Sequence, residues 1–325
     1  MTVMTSFTQN VLGCRCCLLQ SIPDPPSPLF HSTVDRRLVH RAAVHEVLLT
    51  GWARTAGDRY MIGAQWPRDH SFYRPVPPGA HDPLLVLETV RQAGLLVAHV
   101  GEGVPICHHF VMHSIGYDVD PRLLRLGTVP ADLTIDVTCQ VHNRRPTGAV
   151  KLGIRTLIAR DGEVLGAGFG EMTCLPEAVY RNLRARSLPP GGVGEGACPP
   201  PVEPHLVNRL RAADVVLSPG AGPLAWRVRV DRDHPVLFDH PLDHVPGMLV
   251  FEAMRQALAY TGRGLLPLGC HAELARYVEL DPPAEVVLRP GGGDPVFDLE
   301  QGGKTAGTVS WFMSPGGGWR VPNPR

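Results

Sequence analysis

HPVLFDHPLDHVPGMLVFEAMRQALAY, His234 to Tyr260, is a loop dense in His, Asp and Pro that stops at Pro246-Gly247 and launches an apolar helix. Near the start of that helix stand Glu252, Arg255 and Gln256. Nearly the same text occurs earlier, at His70 to Val100: HSFYRPVPPGAHDPLLVLETVRQAGLLVAHV. There Asp82-Pro83 occupies the place of Pro246-Gly247, and Glu88, Arg91, Gln92 and Ala93 match their later counterparts. Both copies read Glu-x-x-Arg-Gln-Ala. A spacing of three and four puts Glu, Arg and Gln on one face of a helix. Leu84, Leu85, Leu87, Val90, Leu95, Leu96 and Val97 cover most of the first helix's circumference, and a helix apolar nearly all round is a buried one.

The repeat is about half the chain, too long for a solenoid, so it implies two homologous domains packed side by side. The 325 residues suffice for two cores. The expected division is an N-terminal arm over 1–35, a first domain over 36–187, a Pro/Gly-rich linker over 188–204 (LPPGGVGEGACPPPVEP) and a second domain over 205–325. Hydrophobic content of 44% with 19% charged residues describes a globular chain rather than a disordered one. Acidic and basic residues balance at 31 each, which argues against nucleic acid as a partner. No apolar run reaches membrane-spanning length and no signal sequence opens the chain, so the cytoplasm is the expected location. The eight scattered cysteines fit reduced thiols. Cys14, Cys16 and Cys17 have no partner pair at ligand spacing and belong to a loose arm.

In the first copy, strands are expected at His45–Thr50 and Tyr60–Trp66, then a helix over Pro83–Val100. Extended segments follow at Cys107–Asp118, Ala131–Asn143, Ala149–Arg160 and Val164–Leu175. Thr134–Thr138 and Lys151–Leu157 alternate as half-buried strands do, and Asp161-Gly162 is a hairpin turn signal. The second copy restarts with Asp214–Ser218 and Leu224–Asp231, then a helix over Met248–Thr261. Its sheet segments are Gly269–Leu280, Glu285–Arg289, Pro295–Leu299 and Thr305–Met313. One helix enclosed by a long antiparallel sheet in each half is an α+β architecture.

A sheet wrapped around one buried helix, with Pro-Gly just before that helix, resembles the hotdog fold. Asp239-His240-Pro241-x-Asp243-His244-x-Pro246-Gly247-Met248, together with two Glu-x-x-Arg-Gln-Ala helices, resembles the A-factor biosynthesis family, whose members are double-hotdog enzymes. The likeness covers about Val39 to Pro315. It departs from the hotdog dehydratase pattern in the first copy, where Arg74-Pro75-Val76-Pro77 replaces Asp-His-Pro. It implies transfer of a 3-oxoacyl group from an acyl carrier protein thioester to a hydroxyl of dihydroxyacetone phosphate, the first step toward signalling γ-butyrolactones and furans. The implied partners are the carrier protein and a small phosphorylated acceptor, with no cofactor and no metal.

The residues suit such chemistry. A buried helix N-terminus can hold a thioester carbonyl as negative charge develops. A carboxylate in apolar surroundings gains basicity, which makes Glu88 and Glu252 candidate bases. Arg91 and Arg255 can bind phosphate bidentately, or neutralise the neighbouring Glu and lower its pKa. Catalytic candidates are therefore Glu88, Glu252, Arg255 and His240; substrate-binding candidates are Arg91, His244, His81, His70, Gln92 and Gln256. With each loop facing the other half's helix, His240 and His244 are expected near Glu88 and Arg91, and His70 and His81 near Glu252 and Arg255. The first pocket is the expected active one.

Plainer readings stand beside these. A buried Glu-x-x-Arg-Gln can be a structural ion pair. His240 and His244 lie between prolines and are better read as loop-ordering or substrate-contacting than as metal ligands. Cys107, His108, His109 and His113 alternate along a strand and cannot all converge. Gly166–Gly170 sits inside a strand and is no dinucleotide loop. Tyr117, Asp118, Tyr277 and Glu279 lie near the ends of equivalent strands, where core packing is the simpler assignment. A dehydratase or thioesterase using His240 with a helix Glu, and a non-enzymatic module that binds an acyl ligand or carrier, are the alternative functions.

Overall fold

A computed structural model describes residues 29–74, 79–185, 198–262 and 266–313. Most of the expected N-terminal arm, with its three cysteines, and most of the linker lie outside them. The remaining residues form one antiparallel sheet, ordered β1-β2-β4-β5-β6-β3-β9-β12-β11-β10-β8-β7, with twelve strands among the described residues.

The first half contributes β1 (Leu49–Ala56), β2 (Arg59–Trp66), β3 (His109–Val119), β4 (Ala131–Arg144), β5 (Val150–Arg160) and β6 (Glu163–Leu175). The second contributes β7 (Leu217–Pro219), β8 (Ala225–Val228), β9 (Gly269–Leu274), β10 (Glu285–Leu288), β11 (Val296–Gln301) and β12 (Lys304–Phe312). The strand order reads the same from either edge. Its centre is the β3–β9 pair, where Gly116 faces His271 and Tyr117 faces Cys270. The sister halves thus share one sheet through their equivalent strands.

Helix α1 (Leu84–Val100) lies inside the first half's sheet and α3 (Gly247–Tyr260) inside the second's. This is the double-hotdog arrangement expected from the sequence. α1 buries nearly every side chain, Glu88 and Gln92 included. The sheet approaches the helix closely: a Cβ at Gly168 of β6 would stand 2.3 Å from Val90 of α1, so a side chain there would force the two apart. Asp161 and Gly162 take positive φ (52° and 81°) and turn β5 into β6 as that dipeptide predicts.

Two local expectations change and one element is new. His45–Thr50 is not one strand: Val44–Glu46 is a turn of 3-10 helix and β1 begins at Leu49. Asp214–Ser218 divides likewise into Ala212–Asp214 and β7. The polar amphipathic helix α2 (Glu177–Arg184) had no expectation. It follows β6 and leads toward the linker, pinned by Arg184 to Asp243 (2.9 Å) and Glu279 (2.6 Å) of the second half.

Candidate active site

Each half opens with a 3-10 turn, Arg36–Val39 and Pro204–Val207, closed by a residue in the left-handed region: His40 (φ 51°) and Asn208 (φ 54°). His and Asn are among the side chains best tolerated there. The turn aims the next residue, Arg41 or Arg209, at the helix.

Arg41 donates to Glu88 Oε1 from Nε (3.2 Å) and Nη2 (2.7 Å). Arg91 reaches both Glu88 oxygens, at 2.8 and 2.7 Å. Gln92 Nε2 donates to Glu88 Oε1 (2.7 Å) and to the Glu46 carbonyl (2.8 Å), while its Oε1 accepts from Leu48 N–H (2.9 Å). Gln92 therefore fastens the charged helix face to the strand that enters the sheet.

The second half repeats this arrangement. Arg209 reaches Glu252 Oε1 at 2.9 and 2.7 Å, and Arg255 bridges both Glu252 oxygens at 2.9 and 2.8 Å. Gln256 donates to Glu252 Oε1 (2.6 Å) and the Asp214 carbonyl (2.8 Å) and accepts from Val216 N–H (3.0 Å).

The loops cross between halves. Arg41 Nη1 donates to the Val236 carbonyl (3.0 Å), and Arg209 Nη1 to the Phe72 carbonyl (2.7 Å). On the first side the crossing goes further: Ala42 N–H donates to Asp239 Oδ2 (2.9 Å), and Asp239 Oδ1 accepts from His240 Nδ1 (2.5 Å). Burial works to raise the Asp239 carboxyl, but His240, Arg41 and the Ala42 N–H hold it lower, so it is ionised and can only accept. The proton on that side of the imidazole is thereby fixed, and neutral His240 carries its lone pair on Nε2.

Burial likewise works to raise Glu88, yet the charges of Arg41 and Arg91 and the hydrogen bonds from Arg91 and Gln92 outweigh it and lower the carboxyl to about 2. Burial opposes Arg209 and Arg255 in the same way at Glu252, which is also lowered. The expectation of a carboxylate made more basic by apolar surroundings is thus reversed. Each Glu is a permanent anion clamped between two guanidiniums.

The two clusters differ in access. Arg91 has 21% of its side chain exposed, and its Nη1 has no hydrogen-bond partner among the described residues. Arg255 is 4% exposed, with Glu252 at 0%, and it lies within the fields of Asp82 and Tyr117. A cavity of about 420 Å³ does lie on the outer side of Arg209, lined also by Arg68, Phe72, Arg74 and Arg211, but neither Glu252 nor Arg255 reaches its wall. The helix starts differ too. Asp82 Oδ1 accepts from Leu84 N–H (2.9 Å) at the start of α1, whereas α3 begins at Pro246-Gly247 with no side-chain cap.

Three expected placements are corrected. His244 does not join Glu88: it pairs with Asp243 (2.7 Å) and packs edge-on against Tyr277, because α2 draws Asp243 toward Arg184. His70 turns back into its own half, its Nδ1 accepting from Phe72 and Tyr73 N–H (3.1 and 3.2 Å) and its Nε2 lying 3.5 Å from Glu46. It shapes the loop, as His234 does beside Asp214. His81 packs on Trp66 (ring centroids 5.3 Å), and its neighbour Asp82 acts on Arg255 instead. His109, set aside as structural, stacks on Tyr180 at 3.7 Å and meets Glu177 at 2.6 Å. Among the described residues no group of His, Cys, Asp and Glu could hold a metal ion.

Arg41, Arg209 and Tyr73 had no place in the expected site, and Asp239 stood there only as part of the loop motif; the buried Tyr73 hydroxyl lies within the field of Glu88 and has no hydrogen-bond partner among the described residues. A signal for the arginines exists. Val34-Asp35-Arg36-Arg37-Leu38-Val39-His40-Arg41 and Val202-Glu203-Pro204-His205-Leu206-Val207-Asn208-Arg209 are a second internal repeat.

Comparison with known proteins agrees with this architecture. A family model described as "A-factor biosynthesis hotdog domain" matches residues 24–176 and 196–275. A protein of Streptomyces virginiae named 2-oxo-3-(phosphooxy)propyl 3-oxoalkanoate synthase is 44% identical over 261 residues, covering 80% of this chain and 88% of its own length. A protein of the same name from Streptomyces coelicolor is 37% identical, covering 79% and 83%. Among solved structures, a 12:0-ACP thioesterase from Umbellularia californica aligns over 81% of this chain and all of its own, with TM-score 0.49 at 12% identity.

Proposed function

The chain belongs to the A-factor biosynthesis hotdog family, and from that premise we propose that it is a 2-oxo-3-(phosphooxy)propyl 3-oxoalkanoate synthase working at the charged face of α1, beside the Val236–His240 loop. It moves a 3-oxoacyl group from the thioester of an acyl carrier protein to the hydroxyl of dihydroxyacetone phosphate. The observation that carries the site assignment is the Asp239–His240 pair, delivered by Ala42 N–H and Arg41 from the second half to the charged face of α1.

His240 Nε2 takes the hydroxyl proton as the alcohol oxygen attacks the thioester carbonyl carbon. Collapse of the tetrahedral intermediate breaks the C–S bond, and the departing thiolate recovers the proton from His240. The uncapped start of α3 is the candidate for holding the oxyanion. The Asp82 carboxylate at the equivalent place on α1 would repel one. Arg91, fixed through two hydrogen bonds to Glu88 and with Nη1 to spare, binds the acceptor's phosphate. Glu88, held at about 2, is not the base. It holds the guanidiniums of Arg41 and Arg91 in place.

A dehydratase would need a helix carboxyl that exchanges protons near neutrality, which such a clamped anion does not do. Incubating the protein with a 3-oxoacyl carrier-protein thioester and dihydroxyacetone phosphate tests the proposal. The expected result is a phosphorylated ester by mass spectrometry together with free carrier thiol. Thiol release at the same rate without the acceptor would reassign the protein to hydrolysis.

A further inference from the structure

His40 and His99 are joined Nε2 to Nε2 at 2.9 Å, beside Phe110. Hydrogen-bond chemistry fixes every proton in that pair. His99 Nδ1 lies 2.7 Å from the Val104 carbonyl oxygen. A carbonyl only accepts, so His99 Nδ1 carries the hydrogen and the Nε2 of neutral His99 is a bare lone pair. His40 Nε2 must then be the donor across the 2.9 Å contact, which leaves the lone pair of His40 on Nδ1. Among the described residues no hydrogen bond is made to that nitrogen. His99 is fully buried and His40 only half-buried, so the relay runs from the core to the open side. There His40 lies within the fields of Arg91 and His240. Its neighbours in the chain, Arg41 and Ala42, hold Glu88 and Asp239.

Resting on the site assigned above, we propose that His40 is a substrate-binding residue whose fixed, unprotonated Nδ1 accepts a hydrogen bond from an uncharged O–H or N–H donor of the substrates, and that His99 is the positioning residue that holds this tautomer. Phosphate and carbonyl oxygens only accept, so Nδ1 turns them away and leaves the phosphate to Arg91. Burial, and then the neighbouring His99 imidazole and the charge of Arg91, lower His40 to about 3. It therefore holds a donor without taking its proton, which is left to His240. The second half has no such relay at this position, where Asn208 replaces the imidazole. Donors of this class occur on both substrates: the hydroxyl of the alcohol, whose hydrogen His40 would hold before His240 takes it, and the amide N–H groups and hydroxyl of the pantetheine arm of the thioester.

Long-range proton–nitrogen spectra of protein labelled with 15N-histidine test this. His40 is assigned by its loss in His40→Asn, a change whose backbone conformation Asn208 already adopts. In the free protein His40 Nδ1 should resonate as an unprotonated nitrogen and His40 Nε2 as a protonated one. His99→Phe should replace that pattern by tautomer averaging. The opposite tautomer, or no response to His99→Phe, overturns the inference. Dihydroxyacetone phosphate and a 3-oxoacyl pantetheine thioester are then added separately. One should shift His40 Nδ1 toward the hydrogen-bonded range, naming the donor; no shift with either overturns the binding role.

In turnover, His40→Ala should raise KM for that same substrate about 5- to 15-fold, the loss of one hydrogen bond, with KM for the other within twofold. His40→Asn, which keeps an acceptor oxygen, should recover most of it. Equal losses for both substrates with a lowered Tm indicate a structural role and overturn the proposal. A correct tautomer and a shifted Nδ1 without any ester formation would refute the reaction while leaving the acceptor in place.

Discussion

Replacing each clamped carboxylate by its amide separates the two clusters. Glu252→Gln leaves Arg209 and Arg255, each 4% exposed, without a counter-charge. Removing one partner from a buried ion pair costs about 3–5 kcal/mol. Asp82 offsets little of this, since it meets Arg255 only through its field. Glu88→Gln strands Arg41 and Arg91 less severely. Arg91 is 21% exposed and can rehydrate, and Arg41 keeps Asp239 at 3.8 Å and the Val236 carbonyl at 3.0 Å. Its expected cost is about 1–3 kcal/mol, the lower part of the range for disturbed buried polar groups. At roughly 1.5–2 °C per kcal/mol for a chain of this size, Glu252→Gln should lower Tm by about 5–10 °C and Glu88→Gln by about 2–6 °C. Calorimetric melts at pH 7 and low salt read both. Specific activity well below either melting range should rank them the other way, with Glu88→Gln losing most turnover and Glu252→Gln keeping it. Melting of Glu88→Gln below Glu252→Gln, or loss of activity only in Glu252→Gln, would refute the assignment of a partly exposed working cluster and a more deeply buried structural one. Replacing Arg209, Glu252 and Arg255 together by apolar residues should recover much of the lost stability, because no buried charge then remains unpaired.

Further outcomes follow from the same geometry. His240→Ala should lower kcat about 10²- to 10⁴-fold, the usual worth of a positioned base, while His244→Ala leaves kcat within a few-fold; equal losses would move the base to the Asp243–Tyr180 side. Arg91→Gln should raise KM for dihydroxyacetone phosphate at least 10-fold with KM for the thioester unchanged, read by varying each substrate in turn. Burial, with neighbouring charge, lowers His40 to about 3 and, for the same first reason, His81 and His99 to about 4. The folded chain therefore refuses protons that the unfolded chain binds below about 6.5. Stability should fall as pH drops from about 6.5 toward 4, at up to about 1.4 kcal/mol per pH unit for each imidazole, and urea melts of His81→Phe should show a shallower slope. Glu88 has the same sign at lower pH: its contribution is complete above about 4.5 and is lost as pH falls toward about 2.

Legibility followed the range of the physics involved. The helix pair, the long strands of the first half and the Asp161-Gly162 turn rest on local periodicity and turn chemistry, and the Glu-x-x-Arg-Gln faces follow from helical spacing. The sign of the Glu88 shift needed Arg41, a residue far away in the chain that reaches the helix only because His40 closes the turn before it. Both second arginines were written in a short repeat of mostly ordinary residues, less conspicuous than the apolar helices. The placement of His244 turned on α2, whose single apolar stripe is short and polar overall, and on Arg184 drawing Asp243 aside. Histidines in one loop thus parted company: His240 went to Asp239 and the first cluster, His244 to Tyr277.

Duplication with divergence explains why one chain carries the same costly charge cluster twice. In both halves the Gln of the cluster ties the central helix to its entering strand, and Arg41 or Arg209 ties the helix Glu to the other half's loop. That scaffold role needs both copies and nothing more than buried, fully satisfied charge. Chemistry needs what the second copy has closed off: an arginine with a nitrogen to spare, a helix start without its own carboxylate, and an imidazole with a free lone pair. The arginine and the imidazole are found at the first cluster, and the bare helix start is that of α3. At the second cluster, Asp82 takes a hydrogen bond from the start of α1, Asn208 stands in place of His40, and Arg255 is 4% exposed. On the proposed assignment the second half supplies the Val236–His240 loop, which Arg41 and Ala42 of the first half hold in place. The second half's charges persist because removing any one of them leaves the others unpaired in the core.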